Sequence, residues 1–126
     1  MPYADPERQR AYHRSYMREW YSRNGKRHRD YVRAHKQQHR RTMYALVRAI
    51  KETTPCVDCR QVYAHYIMDF DHVDNNKRAS VSRLITTAAG EATIRLEMKK
   101  CELVCANCHR TRTWKRGFGL AGAMRA

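Results

Sequence analysis

Two short cysteine pairs, Cys56-Val-Asp-Cys59 and Cys105-Ala-Asn-Cys108, stand 45 residues apart in a chain of 126. Thiols separated by two residues can turn towards one ion, and two such pairs supply the four soft donors of tetrahedral zinc. A single pair would also suit thiol–disulfide exchange. Two pairs in one small basic chain predict a closed, structural zinc site held by Cys56, Cys59, Cys105 and Cys108, with no ligand position left for a substrate. The fifth cysteine, Cys101, reads as a small buried hydrophobe before the second pair. Oxygen and imidazole donors come in the same stretch: Asp71 and His72 side by side, and His109 directly after the last cysteine. Such donors suit a hard or borderline divalent cation, which makes Asp71 and His109 candidate ligands. A histidine beside a bound cation is suited to deprotonating water, so hydrolysis of a phosphodiester is the chemistry these residues could perform together.

These groups need positioning elements. Tyr66 to Phe70 alternates as a short strand does, and the polar run Asp71 to Asn76 predicts a turn after it. Ser80 can cap a short helix that buries Val81, Leu84 and Ile85 and stops at Gly90. Glu91 to Lys100 predicts a second short helix carrying Ile94 and Met98, Glu102 to Val104 a brief strand, and Cys105 to Lys115 a helix. The order is strand, insertion, strand, helix, with a cysteine pair at each end. Residues 53–116 hold few large apolar side chains, and a module of that size usually needs a staple. Structural zinc contributes on the order of 10–16 kcal/mol to folding such modules.

The first part of the chain is different in kind. Residues 1–51 carry 14 Lys and Arg against 4 Asp and Glu, and no cysteine. Asp5, Pro6 and Glu7 form a helix start signal. Tyr12, Tyr16 and Trp20 recur every fourth residue, with Arg10, Arg14 and Arg18 on a neighbouring stripe. Asn24-Gly25 predicts a turn or kink. A second helical run from Lys26 ends in the stripe Met43, Leu46, Val47 and Ile50, which should dock on the cysteine-bearing module. Pro55 stops it. The predicted organisation is a basic helical arm over 1–52, a module over 53–116 and a tail over 117–126 that is flexible by composition.

The formal charge of +14, with a pI near 10.1 and a mean hydropathy of −0.89, points to a polyanionic partner. No stretch is long or apolar enough for a membrane span or a secretory signal, so the expectation is a soluble cytoplasmic protein that does not engage membranes. Lys77, Arg78, Arg110, Arg112, Lys115 and Arg116 surround the candidate site, and of these Lys77, Arg110 and Arg112 are predicted to touch DNA, with Arg14 and Arg18 on the arm.

The phrase Met68-Asp-Phe-Asp-His-Val73, followed by Lys99-Lys-Cys-Glu-Leu-Val-Cys-Ala-Asn-Cys-His-Arg110, resembles the HNH endonuclease family in its small zinc-stapled form of phages and bacteria. The likeness spans about 60 residues and leaves out residues 1–50. It implies an α+β protein with a ββα-metal core, in which strand and helix hold one divalent cation against the scissile phosphate. It implies that Asp71 and His109 bind a catalytic Mg2+ or Mn2+. It also implies that His72 is the general base of a DNA endonuclease or nicking enzyme, held through its far nitrogen by a backbone carbonyl. The family's middle asparagine has no direct counterpart between Asn76 and Asn107. Asn107 stands first for that role, Asn75 or Asn76 fixing the turn is a second reading, and Glu97 a third. His65 reads as structural or as a nucleic-acid contact. Implied partners are DNA and, for a phage-encoded protein in a host cytoplasm, a packaging terminase; a monomer or weak dimer is expected. The rival reading is a noncatalytic, zinc-stapled nucleic-acid-binding protein.

Overall fold

The computed structural model describes residues 5–117. The chain divides into two compact units, 1–38 and 39–126, and the predicted tail beyond Gly117 lies outside the described residues. The fold class is α+β: the described residues form four α-helices and one two-stranded antiparallel sheet.

Helix α1 runs Pro6–Thr53. Asp5 caps it by accepting the Glu7 N–H through Oδ1 at 3.0 Å, with Pro6 preset for the first turn. The turn expected at Asn24-Gly25 does not form. Asn24 donates instead to the Trp20 carbonyl at 3.1 Å, within the helix. Gly25 lies buried, and a Cβ there would meet the Arg29 guanidinium at 3.0 Å. The cost of one helical glycine, about 1 kcal/mol, is spread against pairs one turn apart, such as Glu19 with Arg23 and Lys26 with Asp30. In the first unit Gly25 is the one buried residue among those described; Tyr12, Tyr16 and Tyr31 are exposed.

In the second unit the end of α1 supplies Met43 and Val47 to a core with Val81, Leu84, Ile85 and Ile94, and Leu46 packs beside it. That is the docking predicted for the apolar stripe. His39 and Arg40 tighten it by bonding the Ala89 and Thr86 carbonyls at 2.7 and 2.9 Å. Residues 39–53 therefore pack with the cysteine-bearing part, although composition changes only at 53.

A short 3-10 turn over His65–Ile67 precedes strand β1, Met68–His72, which pairs with β2, Cys101–Cys105. The strand starts and ends two residues later than its alternation suggested. Asp71 and His72 lie inside it, opposite Glu102 and Cys101. Polar side chains were read as a turn signal, but here both find partners and the backbone ladder continues. Helix α2, Val81–Thr86, is capped by Ser80, whose hydroxyl accepts the Arg83 N–H at 3.2 Å. Gly90 does not end it: Ala88 takes the left-handed conformation (φ 58°), while Ala89 N–H bonds the Leu84 carbonyl at 2.9 Å. Gly90 is instead the N-cap of α3, Glu91–Met98. Helix α4, Ala106–Arg116, starts directly from β2 with Cys105 as its cap and stops at Gly117, whose φ of 79° is one that favours glycine. No helix among the described residues is long and apolar enough to cross a membrane.

Candidate metal centre and active site

The four predicted cysteines converge. Their Sγ atoms all lie within 4.8 Å of one another, and those of Cys59 and Cys105 are 4.0 Å apart. Thiolates held by one tetrahedral zinc at about 2.3 Å stand roughly 3.8 Å apart, so the donor set fits that ion. The first pair is pinned to β2 by Val57 N–H to the Leu103 carbonyl at 3.0 Å, and Arg60, with φ 66°, turns the chain away after it. Backbone N–H groups point at sulfur: Cys105 N–H to Cys56 Sγ at 3.3 Å, Cys108 N–H to Cys105 Sγ at 3.5 Å. Burial pushes the Cys56 thiol up, but the N–H groups of Cys59, Cys105 and Asp58 outweigh it and draw it down to about 6. Cys56 is therefore poised as a thiolate. Cys101 stands apart from the cluster, its thiol donating to the Glu97 carbonyl at 3.4 Å and raised to about 11 by burial.

Asp71 and His109 meet. His109 Nε2 lies 3.5 Å from Asp71 Oδ1, bringing β1 and α4 together. The other ring nitrogen, Nδ1, is 3.0 Å from Asp69 Oδ2. A carboxylate only accepts, so Nδ1 presents a hydrogen to Asp69, while Nε2 faces the Asp71 carboxylate. Asp69 was missed in the sequence. The available signal was the strand's period of two, which puts Asp69 and Asp71 on one face.

Asp71 is buried, with 4% of its side chain exposed, and its charge is answered by α4. Arg116 binds both of its oxygens at 2.8 Å and Arg112 binds Oδ2 at 2.8 Å. Arg116, then Arg112, hold the Asp71 carboxyl down to about 2 against the opposing effect of burial. Arg112 also forks onto Asp58, at 2.7 Å through each of two nitrogens, and reaches Glu102 at 2.5 Å. It was expected on DNA; with three carboxylates around it, Arg112 is a structural tie. Arg110, Arg14 and Arg18 are exposed, as is Lys77.

His72 leaves β1 on the opposite face from Asp71, as neighbours in a strand must. Its ring does not join the Asp71–His109 pair, and among the described residues the four cysteines are the one group of three or more metal-binding side chains so close together. His72 Nε2 is 2.8 Å from Glu97 Oε1, so a carboxylate holds the ring where a backbone carbonyl was expected. Glu97 is itself 2% exposed and accepts the Arg78 N–H at 2.9 Å and the Lys100 ammonium at 2.9 Å. Asn107, ranked first for this bracing role, lies exposed in the first turn of α4, where its carbonyl accepts from Thr111. Glu97 does the bracing. Its sequence signal was an acidic side chain three residues after Ile94, on the buried stripe of α3, where a charge survives only when paired. His65 bonds Glu52 at 3.1 Å and has a structural contact.

Lys100, then the Arg78 N–H and His72, hold the Glu97 carboxyl down to about 2, although burial opposes them. Glu97 and Asp71 are both lowered on folding, so the stability they contribute is complete above the ordinary carboxylate range. It is lost as pH falls from there through about 2. Urea midpoints measured from pH 6 to pH 2 are expected to fall most steeply below pH 4, and Glu97→Gln should flatten part of that slope. A profile unchanged by Glu97→Gln would mean that its partners do not favour its ionised form.

No protein-family model matches this chain, and neither the curated proteins nor the solved structures contain a significant match to it.

Proposed function

We propose that this protein is a metal-dependent DNA endonuclease or nicking enzyme of the HNH type, its second unit a ββα-metal core stapled by zinc. One observation carries the reading: His109 Nε2 stands 3.5 Å from Asp71 Oδ1, with the far ring nitrogen held by Asp69 at 3.0 Å. An imidazole nitrogen and a carboxylate oxygen this close together are a donor pair that could hold a divalent cation when the ring is neutral. Oxygen and imidazole donors suit Mg2+ or Mn2+, with water completing the shell. When bound there, the cation supplies charge neutralisation at the scissile phosphate and the leaving oxygen.

The residues of this chain do the remaining work. Ionised Glu97 requires the hydrogen on His72 Nε2, which leaves Nδ1 with a lone pair. Nδ1 takes a proton from water as the water oxygen bonds phosphorus and the phosphorus–oxygen bond to the leaving sugar breaks. Among the described residues, strand β1 pairs on one side only, with β2. Cleavage in this reading requires a phosphodiester that meets Asp71 and His109 on one face of β1 and His72 on the other. Arg110 and Lys77 flank it with exposed charge.

A specific observation favours the rival, noncatalytic reading: Arg112 and Arg116 already neutralise Asp71. Nicking of supercoiled plasmid separates the two. Cleavage should require Mg2+ or Mn2+, stop with chelator, and be lost in His109→Ala, while binding persists. A protein that binds plasmid and never cuts it with any divalent cation is the passive binder.

In this reading the first unit adds affinity that is independent of sequence. Replacing Arg10, Arg14 and Arg18 with glutamine should reduce the salt slope of duplex binding by about 0.9 for each phosphate contact removed. An unchanged slope would return these arginines to a solvated helix face.

A further inference from the structure

A cleft of about 590 Å3 opens in the second unit between the last turns of α1, β1 and α2. Its floor is apolar: Val47, Met68, Val81 and Ile85 are each at most 6% exposed. Phe70 forms a wall, and Tyr66 stands at the rim with 78% of its surface exposed. Asp69 and His109, members of the site above, line the same cleft. Three cations, Arg48, Lys51 and Lys77, border it. Arg48 is paired with Glu52. Among the described residues neither Lys51 nor Lys77 has a carboxylate within ion-pairing distance. The Lys51 ammonium instead sits 5.4 Å from the centroid of the Phe70 ring.

An occupant must offer two things at once. The floor and the two rings call for a flat apolar body, and the ammonium groups of Lys51, which also feels the Asp69 carboxylate, and of Lys77 favour an anion. A nucleotide has both. In a duplex, however, each base face is covered by its neighbours in the stack, and only the phosphates remain to be met. The apolar part of this cleft would then stay empty.

We infer that the cleft receives an unpaired nucleotide of a nucleic-acid strand, its base against Phe70 and Tyr66 and its phosphate against Lys51. The inference rests on the nuclease reading in one respect: it makes the substrate of that reading a strand with unpaired bases beside the scissile bond, such as a bulge, flap or frayed end. Size agrees, since roughly 300–1,000 Å3 is the range of sites for small ligands and too little for a turn of duplex. The charge of the whole chain, +14, favours a strand over a neutral or cationic ligand.

The test is binding by the full, zinc-loaded chain, followed by fluorescence anisotropy at fixed salt with no added Mg2+ or Mn2+. The probes are a fully paired duplex, the same duplex with an unpaired bulge, and a free mononucleotide as competitor. Stacking of one base predicts a preference of about tenfold for the bulged duplex. Tyr66→Ala and Lys51→Gln, both at the cleft edge, should each reduce that preference to about threefold or less, with circular dichroism as in the parent, and Tyr66→Ala should leave paired-duplex affinity unchanged. Equal affinity for the two duplexes overturns the inference, as does a preference that survives both substitutions. Displacement of the bulged probe by mononucleotide at matched concentration would also overturn it, making the cleft a site for the free nucleotide. Cleavage is not read here. A protein that prefers the bulge yet never cuts plasmid loses the nuclease reading and keeps the cleft; one that cuts plasmid without the preference does the reverse.

Discussion

Cys105→Ser is expected to unfold the second unit and release the zinc ion. Three tasks meet at this residue. Its sulfur is one of the four that cluster, its backbone N–H bonds Cys56 Sγ, and it caps α4 by accepting the Cys108 N–H. Without metal, three sulfurs crowd within 4.8 Å of a buried Cys56 already inclined to ionise. The apolar cores on either side are small, one of six buried residues and one of five that includes two of the cysteines. Apparent zinc binding energies of roughly 10–16 kcal/mol equal or exceed the whole stability of a typical domain, about 5–15 kcal/mol. Metal analysis should find one zinc per chain. Far-UV circular dichroism and thermal melting should report loss of the cooperative transition in Cys105→Ser and in chelator-treated protein. Cys101→Ser is the control and should retain both metal and transition. A folded protein with no zinc would remove the staple.

His72→Ala is expected to lower plasmid cleavage by about 10²–10⁴-fold, the usual contribution of a positioned general base, and to leave DNA affinity within about twofold, since it adds no phosphate contact. Glu97→Gln provides the graded case. The amide still offers an oxygen to His72 but no charge, and it must serve the Arg78 N–H and Lys100 as well. Cleavage should therefore fall less than in His72→Ala, while the urea midpoint falls more. If His72→Ala cuts as the parent does, His72 is not the base, and the Asp71–His109 pair must be explained without it.

Local chemistry made much of this legible. The paired cysteines carry their own geometry, and Ser80, Asp5 and the Met43–Val47 stripe announce their positions because a cap or an amphipathic face is decided within one or two turns. The failures share a cause: each depends on a partner remote in sequence. Asp71 and His72 read as turn residues until Arg112, Arg116 and Glu97, at least 25 residues away, are seen to satisfy them within a strand. Asn24-Gly25 reads as a break because propensity is judged locally, whereas the helix continues through its side-chain bond to Trp20. Asn107 was preferred to Glu97 because it lies within a recognisable phrase, and nothing local indicates which side chain faces a ring on another element. The cleft was not visible either, since its floor comes from α1, β1 and α2 together.

Arg112 joins groups that the chain order keeps apart: Asp58 between the first two cysteines, Asp71 on β1 and Glu102 on β2. A planar group with five N–H donors can make these four bonds and fork onto one carboxylate, whereas an ammonium has three donors and no fork. Mutational drift should therefore treat neighbouring basic positions unequally. Lysine would be accepted at Arg110, which faces solvent, and rejected at Arg112, where the lost fork would loosen the loop of the first cysteine pair from Asp71.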